Sequence, residues 1–94
     1  MIKLQRKLYY MTLKQLFIID PWDKLHIQND TTVHIINQGI LQSHTIHTCT
    51  EYDLYVSNKG CFASVQHHTS PINESIRQTP SNQTIENLET YDYI

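Results

Sequence analysis

From Thr12 to Ile19 the apolar residues Leu13, Leu16 and Phe17 recur at the i, i+3, i+4 spacing of one helical face, and Thr12 with Gln15 has the form of a capping box. The pattern predicts a short amino-terminal helix. Pro21 disfavours helical geometry at Asp20 and offers no amide donor, so the helix is expected to stop by Ile19. Beyond it Leu25 and Ile27 alternate with His26 and Gln28, which reads as a strand, and Asn29-Asp30 signals a turn. Thr32 to Ile36 is rich in β-branched residues, with Val33 and Ile35 on one face, and is predicted to return as a second strand closed by Asn37-Gln38-Gly39.

Between Ile40 and Glu51 neither alternate set of residues is cleanly apolar, so an irregular crossover holding one short strand is expected there. The next signal is sharper. Tyr52 to Val56, then Ser57-Asn58-Lys59-Gly60, then Cys61 to Val65 has the form of a β-hairpin, with glycine where positive φ is often needed. Leu54, Val56, Cys61, Ala63 and Val65 are expected to face inward, and Tyr55 and Phe62 to share the other face. From His67 onward large apolar residues are few and two prolines intervene, the composition of a weakly ordered segment. Ser81 is positioned to cap a last short helix carrying Ile85 and Leu88.

The predicted architecture is therefore α+β: one short amino-terminal helix packed on an antiparallel sheet of about four strands, followed by a weakly ordered tail. Its parts are a basic arm at residues 1–10, a small domain at 11–66 and a polar, acidic tail at 67–94. The arm has two readings: a segment upstream of a true start at Met11, or a helical extension with Leu4, Leu8 and Met11 as its apolar stripe.

Net charge of −2 over 94 residues argues against a general nucleic-acid binder, whose affinity for phosphate needs a basic patch. The mean conceals an asymmetry, since Lys3, Arg6, Lys7, Lys14 and Lys24 cluster early while Glu74, Glu86, Glu89 and Asp92 cluster late. No apolar run spans a bilayer and the first residues lack the apolar core of a secretory signal, so a cytoplasmic protein with reduced Cys49 and Cys61 is expected.

His44, His47 and Cys49, with Cys61, His67 and His68 beyond, are the candidates for a metal, but no short Cys spacing supports a site. With only Gly39 and Gly60 in the chain, a glycine-rich phosphate cradle is excluded, and no GxSxG or HExxH motif occurs. The sequence thus predicts neither an enzyme nor a cofactor. Asp20, Trp22 and Asp23 form an acidic aromatic corner suited to a partner or to packing over the core. The tail residues Glu86, Glu89, Tyr91, Asp92 and Tyr93 alternate acid with aromatic groups, a pattern that fits a basic groove.

The stretch TLKQLFIIDPWDKLHI, followed by VHIINQG and DLYVSNKGCFASV, resembles a loose class of small proteins of low-GC Gram-positive bacteria and their phages, over residues 12–66. Lys24 and Leu25 depart from that class, where Thr and Val are commoner, as do the His content and the long tail. The resemblance implies a non-enzymatic protein acting by contact, in its sharpest form an anti-CRISPR inhibitor of a host RNA-guided nuclease. Contact would be made through Asp20, Trp22, Asp23, Tyr55, Phe62 and the acidic tail. The alternative is a small metal- or nucleic-acid-binding regulator resting on His44, His47, Cys49 and the basic arm. An edge strand near Ile40 to Ile46 would also allow a homodimer by strand addition.

Overall fold

The computed structural model describes residues 12–73 and 83–94. Among them are five strands and one α-helix: β1 (Lys14–Ile18), α1 (Thr31–Leu41), β2 (Thr45–Cys49), β3 (Leu54–Ser57), β4 (Gly60–His68) and β5 (Gln83–Asn87). Single 3-10 turns lie at Trp22–Lys24, Glu51–Asp53 and Leu88–Thr90. The α+β class stands, but its first half is built in the opposite order from the one expected.

The predicted amino-terminal helix is strand β1. Leu16 and Phe17 are sequence neighbours and point to opposite sides, Leu16 into one core layer and Phe17 against the other. A strand covered on both faces needs apolar residues at successive positions, so it shows no period of two and its spacings can imitate a helical stripe. β1 pairs in parallel with β2, from Lys14↔Thr45 to Ile18↔Cys49. Parallel neighbours require a crossover, and α1 supplies it where a second strand was expected at Thr32 to Ile36. Asp30 caps α1 by accepting a hydrogen bond from the Val33 amide at 3.1 Å. Val33, Ile36 and Gly39 are buried at helical spacing, while Ile35, expected beside Val33, is 54% exposed. A Cβ on Gly39 would lie 2.8 Å from Ile46 Cδ1, so the missing side chain lets the helix rest directly on β2. The strand expected at Leu25 to Gln28 is a turn region whose Ile27 is buried and whose Leu25 packs on the same layer.

The hairpin is as read, with β3 and β4 paired from Leu54↔Ala63 to Ser57↔Gly60 and Gly60 at φ +132°. Tyr55 and Phe62 share a face and stack at 5.7 Å. Leu54, Ala63 and Val65 reach the core, but Val56 and Cys61, expected inside, are exposed because the tip projects past it.

The sheet is mixed rather than antiparallel. β4 pairs antiparallel with β3 through its first half, with β2 through its last residues, and with β5 along its other edge. β2 therefore lies inside the sheet, and Ile40 lies in α1, so neither forms the edge strand expected between Ile40 and Ile46. The tail is also structured where it is described. Ile85 lies in β5 and Leu88 in the following turn, in place of a last helix whose cap, Ser81, falls outside the described residues. Met1 to Tyr10 and Met11 fall outside them as well.

Two core layers result. On the helix side Ile19, Ile27, Val33, Ile36, Ile46 and Ile72 pack with Phe17, Trp22, Leu25 and Ile40. On the other side Leu16, Cys49, Ala63 and Val65 are covered by Leu54, Leu88 and Tyr91. Asn37 anchors the segment after β4 to the helix, donating to Ile72 C=O at 3.0 Å and accepting from the Ile72 amide at 2.7 Å. His68, buried beside Trp22, shares a 2.7 Å hydrogen bond with the Thr48 hydroxyl. Burial, then the neighbouring His67 and His47, lower its pKa from 6.5 to about 4.

Two outcomes follow from this packing. Ile36→Ala should cost about 3 kcal/mol in denaturant unfolding, whereas Ile35→Ala should cost well under about 1, and equal costs would contradict α1 as placed. His68 is neutral in the fold and protonates near 6.5 when unfolded, so the unfolded state gains the proton first. Stability should therefore fall by up to about 3 kcal/mol as pH drops from 6.5 to 4. His68→Gln should flatten that fall, measured as denaturant midpoints against pH; an unchanged slope would assign it elsewhere.

Candidate functional site at the carboxyl ends of β1 and β2

β1 and β2 run the same way and stop together at Ile18 and Cys49, paired across the sheet. The peptide groups that follow open outward, and clefts in open sheets form there because chains diverge after parallel strands. After β1 the chain turns at Pro21 into the Trp22–Lys24 turn, and after β2 it turns at Thr50 into the Glu51–Asp53 turn. Between the two lies a cleft of 330 Å³ walled by Pro21, Trp22 and Asp23 on one side and Thr48, Thr50 and Asp53 on the other. Gln66 and Gln83, from β4 and β5, close its end. A second cleft of 240 Å³ adjoins it across Ile19 and Pro21 and carries Asp20, Asp30 and Glu51.

Not every carboxylate here is available. Asp53 accepts from the Thr50 amide at 2.8 Å and its hydroxyl at 3.0 Å, which fixes the turn, and Asp30 caps α1. Asp20, Asp23 and Glu51 carry no hydrogen bond or ion pair within the described residues, and no lysine or arginine lines either cleft. The mouth is thus negative and uncompensated, suited to a cationic group and unsuited to phosphate or carboxylate. Trp22 forms an aromatic wall held edge-on against His68 at 5.7 Å. Cys49 is buried at the floor, and burial followed by the Asp53 charge pushes its thiol up to about 11. It stays protonated at neutral pH and is no nucleophile.

The structure brings Asp20, Trp22 and Asp23 together at this cleft. Tyr55 and Phe62 stand apart on the hairpin. Glu86 and Tyr91 lie on the face of the sheet away from α1, where Tyr91 OH is 2.7 Å from His47 Nδ1 and Glu86 is 3.5 Å from Lys14 Nζ. The His47 pKa is lowered, first by burial and then by His67, and burial followed by Glu86 raises that of Tyr91. Asp92 accepts from the Lys14 amide at 2.7 Å, Tyr93 bridges to β1, and Glu89 is exposed. Half-buried His44 accepts from the Leu13 amide at 3.1 Å, and among the described residues no group of three His, Cys, Asp or Glu is placed to hold a metal. Thr48, Thr50, Asp53, Glu51, Gln66 and Gln83 were not singled out in the sequence. Thr48-Cys49-Thr50-Glu51 marks a cleft wall only once β2 is known to end there in parallel with β1.

The family model for the prokaryotic glutathione synthetase N-terminal domain matches residues 13–94. No curated protein matches the chain. The family match covers most of the chain, β5 and the residues after it included, and it is to an enzyme family. It overturns the resemblance to a phage class, the inhibitor reading with its regulator alternative, and the expectation of a non-enzyme. The parallel β1–α1–β2 unit with its cleft at the carboxyl ends, together with this match, places the chain in the prokaryotic glutathione synthetase N-terminal domain family.

Proposed function

We propose that this chain supplies the substrate-side wall of an ATP-grasp ligase of the glutathione synthetase type, working in the cytoplasm. Completing glutathione joins a carboxylate of a cysteine-containing dipeptide to the amine of glycine, so the substrates bring ammonium groups as well as carboxylates. The observation that carries the reading is the cleft at the ends of β1 and β2, with Asp20, Asp23 and Glu51 unpaired at its mouth. An uncompensated carboxylate attracts an ammonium and repels a triphosphate. This wall therefore takes the amino end of the peptide substrate, while nucleotide binding belongs to other parts of a ligase.

Trp22 reports on the cleft directly. Titration with γ-glutamylcysteine should change Trp22 fluorescence, and Asp23→Asn should weaken that binding about tenfold, or about 1.4 kcal/mol. ATP with magnesium should leave the signal unchanged. Nucleotide binding at Trp22, or a dipeptide affinity indifferent to Asp23, would refute the assignment.

A further inference from the structure

The outer edge of β1 is only half covered. The odd residues of β1 face β2: the Leu13 carbonyl accepts from the Thr45 amide, and the Ile19 amide donates to the Cys49 carbonyl. Even residues must then point the other way. On that side the Lys14 carbonyl accepts from the Asp92 amide at 2.7 Å, the Leu16 amide donates to the Tyr93 carbonyl at 2.9 Å, and Gln15 and Tyr93 form a parallel bridge. The covering stops there. The Leu16 carbonyl and the Ile18 amide and carbonyl face outward next in line, and no described residue bonds them. Ile18 itself is 46% exposed.

We propose that this edge docks an extended, β-branched segment that runs parallel to β1, continues the path of Asp92 and Tyr93, and ends in a cationic side chain. The direction is set by the existing parallel bridge, whose next hydrogen bonds in register are those of Leu16 C=O and Ile18 N–H. An antiparallel partner, such as β1 of a second copy, would collide with Tyr93. The cation follows from charge. A parallel strand on this edge ends at the same rim as β1 and β2, beside the cleft that Ile18 lines together with Asp20, Asp30 and Glu51. The docked strand thereby supplies a third wall and the positive charge that the mouth lacks. That role rests on the ligase reading above, whereas the strand pairing does not.

Amide hydrogen exchange tests it on the 94-residue chain and on chains lengthened after Ile94 by Val-Thr-Val-Arg, Val-Thr-Val-Glu or Gly-Ser-Gly-Ser. In the unextended chain Ile18 should exchange at least tenfold faster than Phe17, whose amide faces β2. Val-Thr-Val-Arg should slow Ile18 at least tenfold, and Val-Thr-Val-Glu clearly less, with Gly-Ser-Gly-Ser giving no change. An Ile18 amide already as protected as that of Phe17, or the same rate in all extended chains, would overturn the docking edge. Equal protection by the Arg and Glu endings would overturn its cationic end. Dipeptide binding at Trp22 reads the ligase proposal separately.

Discussion

The fold depends on keeping one five-residue strand dry on both faces. β1 presents Leu16 and Phe17 to opposite sides, so two layers must close on it. Full burial of a side chain such as Leu16 contributes about 2 kcal/mol, and neither layer alone provides it on both sides. α1 and the segment through Ile27 form one cover, while Leu54, Leu88 and Tyr91 form the other. The second cover comes from the far end of the chain. This explains why residues of polar composition after Gln83 belong to the sheet: they carry few apolar groups, but those few sit over Leu16 and Cys49.

The carboxyl-end cleft is a by-product of the same constraint. A strand buried on both faces is best satisfied by a parallel neighbour reached through a covering helix, and two parallel strands ending together leave their following turns to diverge. Pro21 and Thr50 shape those turns. Pro21 precedes the Trp22–Lys24 turn, and the Thr50–Asp53 pairing satisfies the amide that would otherwise end β2 unbonded. The cleft is therefore held by backbone geometry, and Asp20, Asp23 and Glu51 are left free for a ligand.

What could be read from the sequence follows the range of the contacts involved. The β3–β4 hairpin was legible because its turn, its glycine and its cross-strand pairs lie within a few residues of one another. The break at Pro21 was legible for the same reason. Thr12 to Ile19 was not, because the helical spacing of Leu13, Leu16 and Phe17 distinguishes a helix from a doubly buried strand only when the partner is known. α1 had its signals, Asp30 as cap and Val33, Ile36 and Ile40 at helical intervals, but Thr-Thr-Val-His-Ile-Ile is also β-branched. Contact with β2, including the close approach at Gly39, decides in favour of the helix. At the site, Asp20, Trp22 and Asp23 stood out by residue type, whereas Thr50, Asp53, Gln66 and Gln83 meet only through the parallel topology.

The polar groups on the face away from α1 show how the tail is held without a large apolar contribution. Tyr91 lays its ring over Leu16 and Cys49, shares a 2.7 Å hydrogen bond with His47 and lies 4.8 Å from Lys14 Nζ, which also reaches Glu86 and Thr90. Each exposed contact of this kind contributes little alone. They are nonetheless joined to backbone bonds from Lys14 and Leu16 to Asp92 and Tyr93, so side-chain and main-chain contacts depend on one placement of the strap. Lys14 is central because it opens β1, meets Tyr91 and Glu86 through its side chain, and receives Asp92 through its amide. The strand that the core must cover thus also positions its own cover, and the register that fixes Tyr93 on β1 leaves Ile18 open at the rim of the cleft.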